Sequence, residues 1–299
     1  MRENRFRQTI LHITCIVLVL SAIGCSEKKT VDATNTPAPA FTLQCDLSIS
    51  FSPTAAPVIS RSQVGTSTTV LLVHGKNGSP TRTQIQSLIT ELNTAGYDVI
   101  APYMPWSGLS WNGTLCDGMN YINELILSEQ NNENYVILLG HSLAGPIALA
   151  YSALSNSNKA DAINVVAPGH FIHQSSILAS EHASSIAAAK QMETNGLSDQ
   201  IATFQTYNNG QLVDISTTAK NYLSFHDTSQ FPNILSSIPL VTTPTLWLAG
   251  QQDSLTTVAN NLGIAGAIPT TGNIYSYKEV SGDHFTVLES VPAELNEFF

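Results

Sequence analysis

The feature that most constrains the fold is an apolar run that leads directly into a Gly/Ser turn and then into a helix-length segment. Residues 135–139 are almost continuously apolar, as in a strand buried on both faces of a sheet. Gly140-His141-Ser142-Leu143-Ala144-Gly145 follows, and residues 143–154 favour a helix. Because a sharp strand-to-helix turn needs small residues around its centre, the pattern predicts that Ser142 is exposed at the end of a buried strand.

The same alternation of short apolar runs and helix-length segments extends over most of the chain. It predicts an α/β fold with a mostly parallel central sheet flanked by helices. With 299 residues, of which 43% are hydrophobic, the chain can bury a core of that size. Strands are predicted at 69–73, 97–101, 135–139, 162–167, 245–249 and 274–278, and helices at 79–95, 143–154 and 286–299.

Residues 168–243 interrupt this alternation. They contain helical stretches at 175–196 and 197–207, no convincing buried strand, and a Pro-rich end. We predict a helical cap over 168–243, inserted between core strands, so that the core comprises residues 41–167 and 244–299. Residues 41–51 alternate apolar and polar side chains and predict an antiparallel edge strand.

At this point the chain resembles the α/β-hydrolase superfamily over about residues 65–299, and within it a group of bacterial α/β-hydrolases. The resemblance rests on the turn around Ser142 and on the segments 73–76 (Val-His-Gly-Lys), 102–107 (Pro-Tyr-Met-Pro-Trp-Ser), 166–171 and 218–225. The usual pattern G-x-S-x-G has a Gly where Ala144 stands. The resemblance implies an α/β-hydrolase fold and a capped Ser-His-Asp hydrolase, but no particular substrate.

The resemblance also implies three catalytic roles. Ser142 is the nucleophile, His284 its base and Asp253 the acid that orients the base. Asp253 follows a predicted strand, where an Asp also suits a helix N-cap. Asp283 is adjacent to His284, so its side chain is expected to point elsewhere.

Two backbone N–H groups are implied to bind the oxyanion of the reaction. His74-Gly75-Lys76 follows the first predicted core strand, where the superfamily places one donor, and the residue after the nucleophile supplies the other. The expected donors are the N–H groups of Lys76 and Leu143, with Asn77 as the neighbouring alternative to Lys76. His74 itself is expected to be structural.

The substrate cleft is predicted from residues that follow core strands. Met104 and Trp106, together with Trp111, are expected either to form an apolar wall of the cleft or to pack against the cap. His170 and His173 are expected either to line the cleft or to form local hydrogen bonds.

The remaining histidines have simpler interpretations. His141 is expected to pack beside the nucleophile, and His182 and His226 to be polar surface or cap-packing residues. No set of metal ligands and no nucleotide-binding fingerprint is present in the sequence, so neither a metal nor a cofactor is expected.

The first 24 residues have the pattern of a signal peptide. Three arginines precede a mostly apolar run over 10–23, which is too short to span a bilayer comfortably. Ala22-Ile23-Gly24-Cys25 resembles a lipobox, which implies lipidation of Cys25 and a flexible tether over 25–40. Ordinary cleavage nearby and an uncleaved anchor are the alternatives. We expect export to a bacterial cell envelope, at the periplasmic face of a membrane or the cell surface.

Cysteine usage and net charge constrain the partners. If Cys25 is acylated, Cys45 and Cys116 remain, and in an oxidising compartment they predict one disulfide, the alternative being two buried thiols. The net charge of −10 and the absence of a Lys/Arg cluster beyond residue 10 argue against nucleic acid. The expected partners are a small-molecule ester and, through Cys25, a membrane.

The sequence favours a serine hydrolase that cleaves a carboxylic ester through an acyl-enzyme. The enzymatic alternative is an amidase or peptidase that uses the same three residues. The non-enzymatic alternative is a lipoprotein that binds a ligand without turning it over.

Overall fold

The computed structural model describes residues 43–64, 67–208, 210–269, 272 and 274–299. The predicted signal peptide over 1–24, Cys25 and the tether over 25–40 lie outside the described residues. Within the described ranges, no helix is both long enough and apolar enough to cross a bilayer.

A seven-stranded, mostly parallel sheet forms the centre of the fold. Its strands are β1 (Val58–Ser60), β2 (Thr68–Val73), β3 (Asp98–Ala101), β4 (Tyr135–His141), β5 (Ala162–Val166), β8 (Thr245–Gly250) and β9 (Tyr275–Val280). They lie in the order β1-β3-β2-β4-β5-β8-β9. Only β1 is antiparallel to its neighbour, with Val58 opposite Ala101. The predicted sheet, and with it the α/β-hydrolase fold, is confirmed.

Helices cover both faces of the sheet because the strands are apolar on both faces. Successive strand residues alternate between two apolar clusters: Leu71 and Leu138 belong to one, Leu72 and Leu139 to the other. α2 (Leu115–Gln130) and α3 (Ala144–Ala153) pack on the first face, and α1 (Thr83–Thr94) and α8 (Val291–Phe298) on the second. A 3-10 turn at Thr286–Ser290 precedes α8, so the predicted helix over 286–299 is only partly α-helical.

The segment between β5 and β8 contains a hairpin as well as helices. It comprises α4 (Ser176–Thr194), β6 (Ile201–Asn208), β7 (Gln211–Thr218), α5 (Ala219–His226) and α6 (Ile234–Ser237). β6 and β7 pair antiparallel over their full lengths. The prediction of a helical cap without strands, and of a helix over 197–207, was therefore wrong.

The sequence does carry signals for this hairpin. Phe204 and Thr206 are buried on one face of β6, and the strand is rich in Thr and aromatic residues. The sequence Asn208-Asn209-Gly210 then supplies a common hairpin turn. A period of two along residues 201–208 is typical of a strand and does not fit the predicted helix, in which apolar residues recur every three to four positions.

The predicted edge strand over 41–51 is also wrong, because residues 43–57 form no strand. The edge position at β3 is occupied by β1 instead. Residues 43–51 lie against the layer of helix α2: Phe51 packs on Tyr121, and a disulfide joins Cys45 to Cys116. The apolar residues of this segment thus cover a helix rather than extend the sheet.

Candidate active site

Ser142 lies on a strained turn between β4 and α3. Its φ is 58°, a left-handed conformation that non-glycine residues adopt rarely. A Cβ on Gly140 would lie 2.3 Å from the carbonyl oxygen of Ala144, so only glycine fits at that position. Ala144 itself is buried in the first turn of α3, and its methyl group is accommodated there.

The three residues predicted for catalysis form one hydrogen-bonded chain. The hydroxyl of Ser142 is 3.0 Å from Nε2 of His284, and Nδ1 of His284 is 2.8 Å from Oδ2 of Asp253. Because a carboxylate only accepts hydrogen bonds, Nδ1 carries the proton and Nε2 is left to accept from the hydroxyl. This is the protonation state that a general base for Ser142 requires.

Asp253 has both of the roles that the sequence suggested as alternatives. Its Oδ1 accepts from the N–H of Leu255 and caps helix α7 (Ser254–Asn261), while its Oδ2 faces His284. Asp283 instead accepts from the N–H groups of Phe285 and Thr286, so it points away from the imidazole as expected.

The oxyanion donors predicted from the superfamily pattern are the backbone N–H groups of Lys76 and Leu143. Among the described residues, no acceptor takes a hydrogen bond from the N–H of Lys76 or of Leu143. Both residues line the cavity at Ser142. Asn77 does not line it, and its side-chain oxygen accepts from the indole N–H of Trp111. The geometry therefore favours Lys76 over Asn77.

A cavity of about 430 Å³ opens above Ser142. Its apolar lining residues come from the start of the cap and from α7: Phe171, Ile177, Leu178, Leu255 and Val258. Its polar lining residues include Lys76, Tyr207, Asn208 and His170. A second, smaller cavity meets the first at Ser142 and is lined by Lys76 and Arg82.

Met104 and Trp106 line neither of these cavities, so their prediction as cleft residues was wrong. Both side chains are buried in the core. The indole N–H of Trp106 donates to the carbonyl of His74 at 3.0 Å, and its ring packs edge-on against Phe225 of the cap. Trp106 thus joins the cap to the core, which is the other possibility that the sequence left open.

His74 and His141 form hydrogen bonds that fix the loops next to Ser142 and His284. His74 bonds the hydroxyl of Ser107 and the carbonyl of Gly75, as its structural interpretation required. Nε2 of His141 donates to the carbonyl of His284 at 2.8 Å. His141 therefore fixes the loop that carries His284 and acts as more than a packing residue.

Sequence reasoning missed a buried histidine cluster in the cap. His182 and His226 are 1% exposed and contact His170, with ring centroids 4.6 to 6.1 Å apart. His170 donates through Nε2 to the carbonyl of Phe225, while its Nδ1 is buried without a partner among the described residues. His173 bonds the carbonyl of Phe231 and does not line the cavity.

The histidine cluster does not have the arrangement of a metal site. Among the described residues, no group of three or more His, Cys, Asp or Glu side chains is placed to hold a metal ion. Burial, and secondarily the charge of the nearby Lys76 side chain, lowers the pKa values of the three imidazoles. No local sequence signal links Lys76 to the cap, because the contact spans about 130 residues.

These buried histidines make a prediction about acid stability. Burial lowers the pKa of His74 to about 4 and those of His141 and His182 to about 3, with His170 and His226 well below 6.5. The unfolded chain binds more protons than the folded chain below pH 6.5. The contribution of these neutral histidines to the free energy of unfolding is therefore fully present above pH 6.5 and is lost as the pH falls toward 3–4.

We expect the free energy of unfolding in urea to fall between pH 7.5 and pH 5, by up to about 2 kcal/mol for each such histidine. His182→Gln, which keeps an acceptor for the N–H of Tyr207, should reduce this slope by close to one proton. A free energy of unfolding that is constant over this range would contradict the assignment of buried neutral histidines.

Comparison with solved structures shows the fold at low identity. Monoacylglycerol lipase of Paleococcus ferrophilus has 18% identity and a TM-score of 0.54, with 80% of this chain and 100% of that chain covered. The α/β-hydrolase GrgF of a Penicillium species has 12% identity and a TM-score of 0.58, with 81% and 95% covered. MenH of S. aureus has 16% identity and a TM-score of 0.55, with 82% and 97% covered. No curated protein matches this sequence.

A family model also matches this sequence, over most of its length. The model described as "Serine aminopeptidase, S33" matches residues 66–281, which is well over half of the chain. This range includes Ser142 and Asp253, and it ends three residues before His284. The chain therefore belongs to the S33 serine aminopeptidase family of α/β-hydrolases, and it is a hydrolase.

Proposed function

We propose that this hydrolase cleaves carboxylic esters through an acyl-enzyme formed on Ser142. The observation that carries the proposal is the unbroken hydrogen-bonded chain from Asp253 through His284 to Ser142, at the floor of an open cavity. A serine hydroxyl is a weak nucleophile unless a base removes its proton, and this chain supplies an oriented base.

Each step of the reaction uses a group already in place. Ser142 Oγ attacks the ester carbonyl carbon while His284 Nε2 takes the hydroxyl proton. The N–H groups of Lys76 and Leu143 bind the oxyanion, and the N-terminus of α3 adds a favourable dipole. His284 then donates its proton to the leaving alcohol. Water, deprotonated by His284, hydrolyses the acyl-enzyme and releases the acid.

Ester substrates fit the cavity better than peptides with a free amino terminus. An aminopeptidase must bind an ammonium group, which requires a carboxylate or several acceptors. Asp253 is the only carboxylate among the described lining residues, and it is bonded to His284. The Lys76 side chain would repel an ammonium.

The proposal is tested with p-nitrophenyl esters and p-nitroanilides that share one acyl group. We expect ester turnover that falls about 10³-fold or more in Ser142→Ala and in His284→Ala, with little anilide turnover. The exposed Ser128 on α2, which lines neither cavity, provides a matched control, since Ser128→Ala should retain activity.

Faster cleavage of anilides than of esters would replace the ester proposal with the peptidase alternative. No turnover of either class by folded wild type, together with ligand binding at the cavity, would favour the non-catalytic lipoprotein.

We further propose that the chain is exported and anchored to a membrane by lipid on Cys25. The signal-like pattern over 1–24 supports this, and a Cys45–Cys116 disulfide suits an oxidising compartment. In cells that produce the full-length chain, the wild type should sediment with membranes and require detergent for release. Cys25→Ala should lose this behaviour; membrane association that survives the substitution would contradict lipidation at Cys25.

A further inference from the structure

We propose that the ester cleaved at Ser142 carries a carboxylate, and that the side-chain ammonium of Lys76 binds it. This inference rests on the proposed function, since it names the substrate class of the same site. It assigns a second role to Lys76, whose backbone N–H is the proposed oxyanion donor.

The first observation is that the basic side chains at the site lack acidic partners. Lys76 lines both cavities that meet at Ser142, and Arg82 lines the smaller one. Within the described ranges, no Asp or Glu oxygen lies within 4 Å of either side chain, whereas Arg61, Lys190 and Lys278 all form ion pairs. Within the same ranges Lys159 and Lys220 also form no ion pair, but of these four unpaired cations only Lys76 lines both cavities at Ser142.

The second observation is the arrangement of donors on Lys76. Its Nζ donates to Oγ1 of Thr206 at 3.2 Å and to the carbonyl of Tyr207 at 3.0 Å. An ammonium has three N–H groups, so one is left for a ligand. The hydroxyl of Thr206 in turn donates to Nε2 of His226, whose Nδ1 donates to the carbonyl of Tyr222. All these protein partners are neutral and leave the charge uncompensated.

The third observation is the electrostatic cost of this arrangement. A cation that is withdrawn from water without a counter-ion destabilises the protein unless it is neutralised by an anion or loses its proton. Burial lowers the pKa of Lys76 to about 7, and the groups that face it, His170, His182 and His226, are held neutral by burial. A bound carboxylate would supply the missing countercharge and favour the protonated lysine.

The apolar residues of the cavity determine the rest of the substrate. Phe171, Ile177, Leu178 and Leu255 line the same cavity as Lys76 and Ser142. An ester that carries an apolar group as well as a carboxylate matches both kinds of lining residue.

A purely structural role for Lys76 makes a different prediction. If the ammonium only holds the hairpin at Thr206 and Tyr207 to the core, substrates with and without a carboxylate would be affected equally by its loss. The ratio of kcat/KM for a charged and a neutral ester of the same shape therefore separates the two roles, whereas activity alone does not.

The experiment compares two such pairs. In the acyl pair, the p-nitrophenyl monoester of glutaric acid is compared with that of glutaramic acid, in which an amide replaces the carboxylate. In the alcohol pair, 3-acetoxybenzoate is compared with 3-acetoxybenzamide. The rate of uncatalysed hydrolysis is subtracted from each measured rate before kcat/KM is calculated. We expect wild type to prefer the carboxylate about 10- to 100-fold in one pair, which identifies the side of the scissile bond that Lys76 contacts.

Lys76→Met retains the backbone N–H and should reduce that preference to about onefold or reverse it, whatever happens to the absolute rate. Lys220→Met, which removes the same charge from an exposed position on the cap, is the matched control and should keep the preference. If Lys76→Met does not fold, Lys76→Gln replaces it.

Two results would overturn the inference while leaving the proposed function intact. One is hydrolysis of the neutral esters by wild type, dependent on Ser142, with no preference for the carboxylate in either pair. The other is a preference that persists in Lys76→Met. Absence of hydrolysis of all four esters by folded wild type would instead overturn the proposed function, and this inference with it.

Discussion

The close approach of two backbone segments, at the carboxyl ends of β2 and β4, is the constraint on which the site depends. A Cβ at Gly75 would lie 2.6 Å from Cβ of Ser142, so any other residue would push the two loops apart. Lys76, the next residue, lines the same cavity as Ser142. A strained φ at Ser142 and a glycine at position 75 are thus two parts of one arrangement, which fixes Ser142 against the loop that carries the proposed oxyanion donor.

A second close approach, between the end of β8 and the loop after β9, positions His284. A Cβ at Gly250 would lie 2.5 Å from the carbonyl oxygen of Gly282, so the end of β8 lies directly against the loop that carries His284. Asp253 caps α7 and also faces the imidazole, and His141 bonds the carbonyl of His284. The imidazole is therefore held by Asp253, and the loop that carries it by His141 and the end of β8, before any substrate binds. This reduces the reorganisation that the proposed reaction requires.

Parts of the fold and site were predictable because their signals are local. Buried parallel strands appear as continuous apolar runs, and their carboxyl ends meet at one edge, so the site could be placed there from the sequence. The resemblance to α/β-hydrolases then assigned the roles of Ser142, Asp253 and His284. The hairpin of the cap and the contact of residues 43–51 with α2 were not predicted. Trp106 was misassigned because its position after a strand suggests the cleft, while its burial depends on Phe225, more than 100 residues away. The side chain of Lys76 is a similar case, since only the folded cap reveals its partners.

The most direct test of the account is covalent labelling of residues 26–299 with a fluorophosphonate, followed by intact mass and peptide mapping. The account predicts a single adduct on wild type, located on Ser142 and absent from both Ser142→Ala and His284→Ala, because the hydroxyl reacts only when the imidazole can take its proton. No adduct on folded wild type, or an equal adduct on Ser142→Ala, would contradict the claim that this chain acts through an activated serine.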